Sequence, residues 1–120
     1  MATPLVTLYQ GSPLMVDYTP VSAVTGGDVV VLGELPCILH NDIAANVKGA
    51  IAIGGGVYKV PKSTGSGSAI AIGANVWWNA SSEVVATTAS THKHFGETVL
   101  AASDDDTYVY VHHNPRPALS

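Results

Sequence analysis

The sequence predicts an all-β fold: a compact, jelly-roll-like β-sandwich or barrel of about eight short strands, with an extended N-terminal arm. Three observations carry that prediction. Short β-branched runs recur at intervals of about eight to twelve residues, punctuated by Gly, Asn, Asp and Ser. No window holds the apolar i, i+3, i+4, i+7 spacing over the ~10 residues that a helix needs. Prolines crowd the start of the chain, and a chain of 120 residues has room for one domain.

Residues 1–20 carry Pro4, Pro13 and Pro20. Proline cannot donate to a ladder, so this stretch reads as an extended arm or an edge strand. Arms of this kind often lie on a neighbouring subunit. Residues 21–113 then form the β domain. Val29 to Leu32 is a continuous apolar run opened by Gly26, Gly27 and Asp28, and is expected to be buried on both faces. A second run, residues 36–39, follows the Gly33-Glu34 turn. Residues 47–53 and 57–60 flank Gly54, Gly55 and Gly56, which supply the positive φ angles of a tight turn or bulge. Residues 75–78 and 83–88 are joined by Asn79, Ala80, Ser81 and Ser82, a four-residue hairpin connection. Residues 98–102 and 107–112 are joined in the same way by Ser103, Asp104, Asp105 and Asp106. Residues 114–120 are a short tail.

The last strand alternates: Val109 and Val111 face one way, Tyr108, Tyr110 and His112 the other. The outward aromatic ladder reads either as cross-strand packing or as an interface. Trp77 and Trp78 must point to opposite faces, so one is core and the other needs a second layer or a partner to cover it.

Composition excludes several functions. Charged residues make up 12% of the chain against the usual quarter or so. The balance is Lys+Arg 5 against Asp+Glu 9, a net charge of -4, which is the wrong sign and too sparse for a surface that binds phosphates. Nucleic acid and acidic membranes are therefore not expected partners. With 47% hydrophobic residues the chain can bury a core, which excludes disorder. No basic region followed by an apolar stretch opens the chain, and no apolar run approaches the roughly 20 residues that span a bilayer. A soluble protein made in a cytoplasm is expected.

Motifs for chemistry come close and fail. Gly56 to Ser63 spells GVYKVPKS, a phosphate-loop pattern but for Pro61, where proline has neither the N–H nor the φ freedom that the loop requires. His92 and His94 would share one strand face, and His112 and His113 lie near the C-terminus, yet only one His-x-His pair is properly spaced, so no metal site is assigned. Asp104, Asp105 and Asp106 lack the alternation and the glycine of a calcium loop and read as a solvated turn. Neither serine of Gly65-Ser66-Gly67-Ser68-Ala69 stands in a nucleophile elbow. Cys37, the single cysteine, lies in an apolar run and reads as a small buried hydrophobe. No catalytic residue, cofactor or metal is expected, and the protein is not expected to be an enzyme.

Three runs carry a resemblance: YTPVSAVTGGDVVVLG from Tyr18 to Gly33, HNDIAANVKGAIAIGGGVYKVPK from His40 to Lys62, and GANVWWNASSEVVATT from Gly73 to Thr88. In this order and spacing they resemble a family of small phage head proteins, the capsid decoration or cement proteins, whose members are often labelled uncharacterised or recombinase-like. The resemblance covers residues 10–112. The sequence departs from the family pattern at ASTHKHF, residues 89–95, where a Gly-Asn turn is common. It also carries a longer proline-rich arm and a tail.

The resemblance implies a non-enzymatic virion protein on the outer surface of the head that clamps the major capsid protein lattice. It also implies a homo-oligomer, a dimer or trimer, at capsid symmetry axes. Tyr9, Tyr18, Trp77, Tyr108, Tyr110 and His112 are the candidate interface residues, chosen for the aromatic character that carries interface energy. The acidic balance suits the outside of a head better than its DNA-lined interior. The alternative reading is a virion-displayed carbohydrate-binding or adhesion module that uses an exposed Trp or Tyr as a stacking platform.

Overall fold

The computed structural model describes residues 6–119. It is a β-sandwich of ten strands in two antiparallel sheets. In chain order these are β1 (Thr7–Gln10), β2 (Leu14–Tyr18), β3 (Val29–Leu32), β4 (Leu35–Leu39), β5 (Gly49–Gly54), β6 (Val57–Pro61), β7 (Asn75–Asn79), β8 (Val84–Ala86), β9 (Lys93–Thr98) and β10 (Tyr108–His113). A short 3-10 turn, Pro117–Leu119, ends the described chain. One sheet runs β1-β6-β10-β9-β7-β8 and the other β2-β5-β4-β3. An isolated bridge between Lys62 and Val85 draws β8 toward the end of β6, so the six-stranded sheet curls strongly.

Ten strands rather than eight result because the described part of the proline-rich stretch pairs within its own chain. β1 lies on the edge of one sheet beside β6, and β2 on the edge of the other beside β5. Both are edge positions, as proline spacing favours. Residues 1–5 of the expected arm, and Ser120 of the tail, lie outside the described residues.

The chain changes sheets at Gly54-Gly55-Gly56, between β5 and β6. Gly55 and Gly56 have φ of 88° and 81°, and a Cβ on Gly56 would meet Leu8 at 3.0 Å. These glycines let the β1–β2 corner cross close over the β5–β6 corner.

Most of the core lies between the sheets. Tyr58, Val60, Val109 and Val111 from β6 and β10 meet Phe95, Val76 and Trp78 from β9 and β7, with Ile38 and Ala52 from the smaller sheet. A second, smaller cluster of Cys37, Leu39, Ile43 and Ile51 lies on the other face of the four-stranded sheet, with Tyr18 and Val24 against it. The Val24–Ile43 bridge brings the two long loops together over that cluster. Cys37 is fully buried, and burial pushes its thiol up to about 11, so it stays protonated and inert.

Several sequence expectations are corrected. β3 is half-buried rather than buried on both faces, because it is the edge strand of its sheet and has a neighbour only in β4. The strand expected at residues 98–102 instead occupies Lys93–Thr98. Beyond Thr98 the chain leaves the ladder, and Ala102 makes only a bridge to Ile70. The ASTHKHF departure therefore opens a central strand. Its pivot is Gly96, which pairs with both Val76 and His113. A Cβ there would collide with the His112 carbonyl oxygen, so only glycine permits the close approach. His92 and His94 do not share a strand face: His92 is in the turn before β9, where its N–H donates to the Ala89 carbonyl at 2.7 Å. The fifth strand begins at Gly49 rather than at Val47, which is exposed.

Candidate functional site

The outer face of the six-stranded sheet gathers five of the six candidate residues: Tyr9, Tyr108, Tyr110, His112 and Trp77. Alternation along β6 buries Tyr58 and Val60 and turns Lys59 outward; along β10 it buries Val109, Val111 and His113 and turns out Tyr108, Tyr110 and His112. Register places Tyr110 opposite Lys59 and Tyr108 opposite Pro61. Tyr9 joins them from β1, where a bulge between Leu8 and Gln10 frees it from the ladder. Its ring lies 4.6 Å from that of Tyr110, tilted by 49°. The Lys59 ammonium sits 4.3 Å from the centre of the Tyr108 ring, a cation–π contact that holds both side chains in place. Tyr9 is 54% exposed and Tyr108 38%. The result is a wet aromatic strip on rigid strands.

Across β9 and β7 the same face is covered by the chain's own C-terminal segment. Arg116 Nη2 donates to Asn75 Oδ1 at 2.9 Å and lies 3.2 Å from Glu97 Oε2. The Arg116 backbone N–H donates to His94 Nδ1 at 3.0 Å, and Trp77 Nε1 donates to the Leu119 carbonyl at 3.0 Å. The layer that Trp77 needs is thus supplied within the chain, while Trp78 is the core member of the pair. His94 meets Trp77 edge-on at 5.6 Å. Burial, then the Arg116 charge, holds its pKa below the ordinary value against the opposing pull of Glu97. His112 stands at the border of the two halves, 3.8 Å from Glu97. Tyr18 is not on this face; it is half-buried on the four-stranded sheet.

Other polar groups are committed inside the fold. Lys62 is buried, and its ammonium donates to the carbonyls of Ser63, Ser103 and Asp106 at 2.8, 2.9 and 2.9 Å. Lys62 therefore staples two loops rather than serving a phosphate.

A cleft of about 650 Å³ opens beside β1, lined by Val6, Leu8, Thr25, Ile38, His40 and Tyr58 among others. His40 Nε2 and the Tyr58 hydroxyl lie 2.6 Å apart in it. Burial raises the phenol to about 12 and lowers the imidazole below its usual value, so near neutral pH both are uncharged. Among the described residues no group of three His, Cys, Asp or Glu side chains could hold a metal ion.

Lys59, Arg116 and Glu97 are the members of this face that sequence reasoning missed. Alternation along residues 57–61 would have placed Lys59 beside the tyrosines; nothing local announces the tail contact, whose partners lie 22 and 41 residues away.

An all-β domain that holds a strip of tyrosine rings on the outside of its larger sheet offers a surface for contact. The comparisons agree. The chain belongs to the phage cement protein family, whose model matches residues 9–113. No curated protein and no solved structure matches it. Membership implies a structural, capsid-binding role in the phage virion and not a catalytic one.

Proposed function

We propose that this protein docks on the outer surface of the phage head and cements the major capsid protein lattice, using the strip formed by Tyr9, Tyr110, Tyr108 and Lys59. The observation that carries the reading is that strip itself: exposed aromatic rings held by mutual contact on central and edge strands, in a member of the cement family. Tyrosine supplies large, rigid, amphipathic contact area at small entropic cost, and anchors of this type carry most of an interface's energy. Stabilisation follows by mass action, since a protein that binds the assembled lattice in many copies, and free subunits not at all, shifts the balance toward assembly. An acidic chain is better suited to the outside of a head than to its packaged DNA.

The test uses heads stripped of the protein. Added wild-type chain is expected to cosediment with them and to raise their resistance to heat, and the double variant Tyr9→Ala, Tyr108→Ala is expected to fold normally but bind at least ten times more weakly. Undiminished binding by that variant would remove the aromatic strip from the contact. Failure of the wild type to bind heads, with retention on a glycan array, would transfer the protein to the adhesion reading.

A further inference from the structure

Residues 114–119 cross the outer face of β9 and β7 as a strap. The bonds that seat it are polar: the Asn114 N–H to the Phe95 carbonyl at 3.0 Å, Arg116 to His94 and Asn75, and the Trp77 indole to the Leu119 carbonyl. None of its described side chains is buried; that of Arg116 is 47% exposed, and Leu119 is 38% exposed. Half-exposed contacts of this kind contribute little each, so a segment seated this way opens readily. The strap also leaves the face beneath it incompletely satisfied. Glu97 stands in a cross-strand row between His112 and Asn75. Its Oε2 is buried and accepts no hydrogen bond, because Arg116 Nη2, 3.2 Å away, is aimed at Asn75. His112 Nδ1 lies 3.8 Å from Oε1, too far to donate. A buried carboxylate oxygen without a donor is costly, and a partner that brings a better-placed donor gains what the strap leaves unmet. Trp77, His94, Glu97 and His112 all lie within the residues that the family model matches, and the strap lies outside them.

We infer that the strap is the resident occupant of a peptide-binding face, and that on the head an extended segment of the capsid lattice bearing an arginine or lysine takes its place. The inference rests on the capsid-binding reading and carries the contact from the tyrosine strip past His112 onto β9 and β7. The strap itself shows the chemistry that the face accepts: a guanidinium over Asn75 and Glu97, a backbone N–H for His94 Nδ1, and a carbonyl for the Trp77 indole. Pro115 and Pro117 flank Arg116 and favour an extended backbone there. A lattice segment with the same groups and a cation turned toward Glu97 fits the face more completely. Its arrival displaces the strap and turns Trp77, a ring of the type that anchors interfaces, into a contact residue. Until then the closed strap lowers the apparent affinity by the fraction of chains that are open.

The experiment has one arm on the isolated full chain and one on stripped heads. In the Trp78→Phe, Arg116→Ala chain, a synthetic peptide with the sequence of residues 114–120 is titrated to ~10 mM while acrylamide quenching of Trp77 is followed. A strap that closes under an effective concentration on the order of millimolar must also bind in trans in that range, so saturable protection of Trp77 is expected. The same peptide with alanine in place of its arginine is expected to bind at least about threefold more weakly. No saturable protection would overturn the inference. On heads, Arg116→Ala is expected to bind about threefold or more tighter than wild type, and Glu97→Gln about threefold or more weaker. Both changes break the same ion pair and loosen the strap, so a strap that served the fold alone would shift both variants in one direction, and that result would overturn the inference. A wild-type oligomer that dissociates in Arg116→Ala would assign the face to the segment of a second copy and overturn the choice of a capsid segment. Wild type that fails to bind heads while the peptide saturates is a failure of the capsid reading; heads bound equally by both variants is a failure of this inference.

Discussion

Acid should loosen this domain through one buried histidine. His113 is fully buried where β10 meets β4. Its Nε2 lies 2.6 Å from the Pro36 carbonyl, which can only accept, so Nε2 carries the proton of the neutral ring. Nδ1 is left without a hydrogen-bond partner, among the rings of Phe95 at 4.9 Å and Tyr58 at 5.7 Å. Protonating Nδ1 would create a cation with no acceptor in an apolar enclosure, close to His40 and His112, which repel it once they are charged. Burial is the main cause that lowers the His113 pKa from 6.5 to about 4; the bond to Pro36 opposes it, and the two histidines add to it. The unfolded chain therefore binds a proton that the folded chain refuses between those values. Stability is fully present above pH 6.5, falls as pH drops toward 4, and is flat with respect to this group below that. A difference of roughly 2.5 pH units at about 1.4 kcal/mol each gives a loss of ~3 kcal/mol. His40 and His94, also lowered, act in the same direction. The assay is denaturant unfolding at closely spaced pH values for wild type and His113→Gln, whose amide retains a donor for Pro36. The variant should start less stable and lose less on acidification, and the difference between the two curves isolates this residue. Parallel curves from pH 7 to 4 would refute the assignment.

Two further outcomes follow from the same polar groups. Lys62→Met should destabilise the fold by about 2 kcal/mol, because it removes three hydrogen bonds that a buried ammonium donates to carbonyls of two loops, and the loss is read as a fall in thermal midpoint. Arg116→Ala should release the C-terminal segment from β7 and β9, so that in a Trp78→Phe background acrylamide quenches Trp77 more strongly, while stability changes by only about 1 kcal/mol because the guanidinium is partly exposed.

The local features were legible in the sequence, and the distant ones were not. Alternation identified the inward Val109 and Val111 and the outward Tyr108 and Tyr110, because a two-residue period is a property of the strand itself. The separation of Trp77 from Trp78 was legible for the same reason. The strand at Lys93–Thr98 was missed because Lys, His, Gly and Glu have little β propensity. What places them is tertiary: Gly96 admits the His112 carbonyl, and His94 is covered by Arg116. The β3 run read as buried on both faces since Val-Val-Val-Leu is the same text in a central strand and in an edge strand, and only sheet order tells them apart. The covering of Trp77 by Leu119 joins residues 42 positions apart and leaves no periodic trace.

The scarcity of charge has a structural counterpart. All five cationic side chains are engaged within the chain: Lys48 with Asp17, Lys93 with Glu34, Arg116 with Glu97, Lys62 with three carbonyls and Lys59 over Tyr108. Several acids are engaged as well, since Asp28, Asp42, Asp104 and Asp106 accept backbone N–H groups of the loops at Thr25, Gly26, Ala69 and Ser103. Charge in this molecule shapes loops, and none of its cations is left to meet a phosphate. What the strands present to the outside is aromatic or aliphatic: the Tyr9–Tyr110–Tyr108 strip on one sheet and the Leu14–Val16 edge on the other. Such surfaces gain their contact energy from apolar area removed from water, a term that salt does not screen. A domain built this way suits a permanent place in a shell better than a diffusing encounter steered by charge.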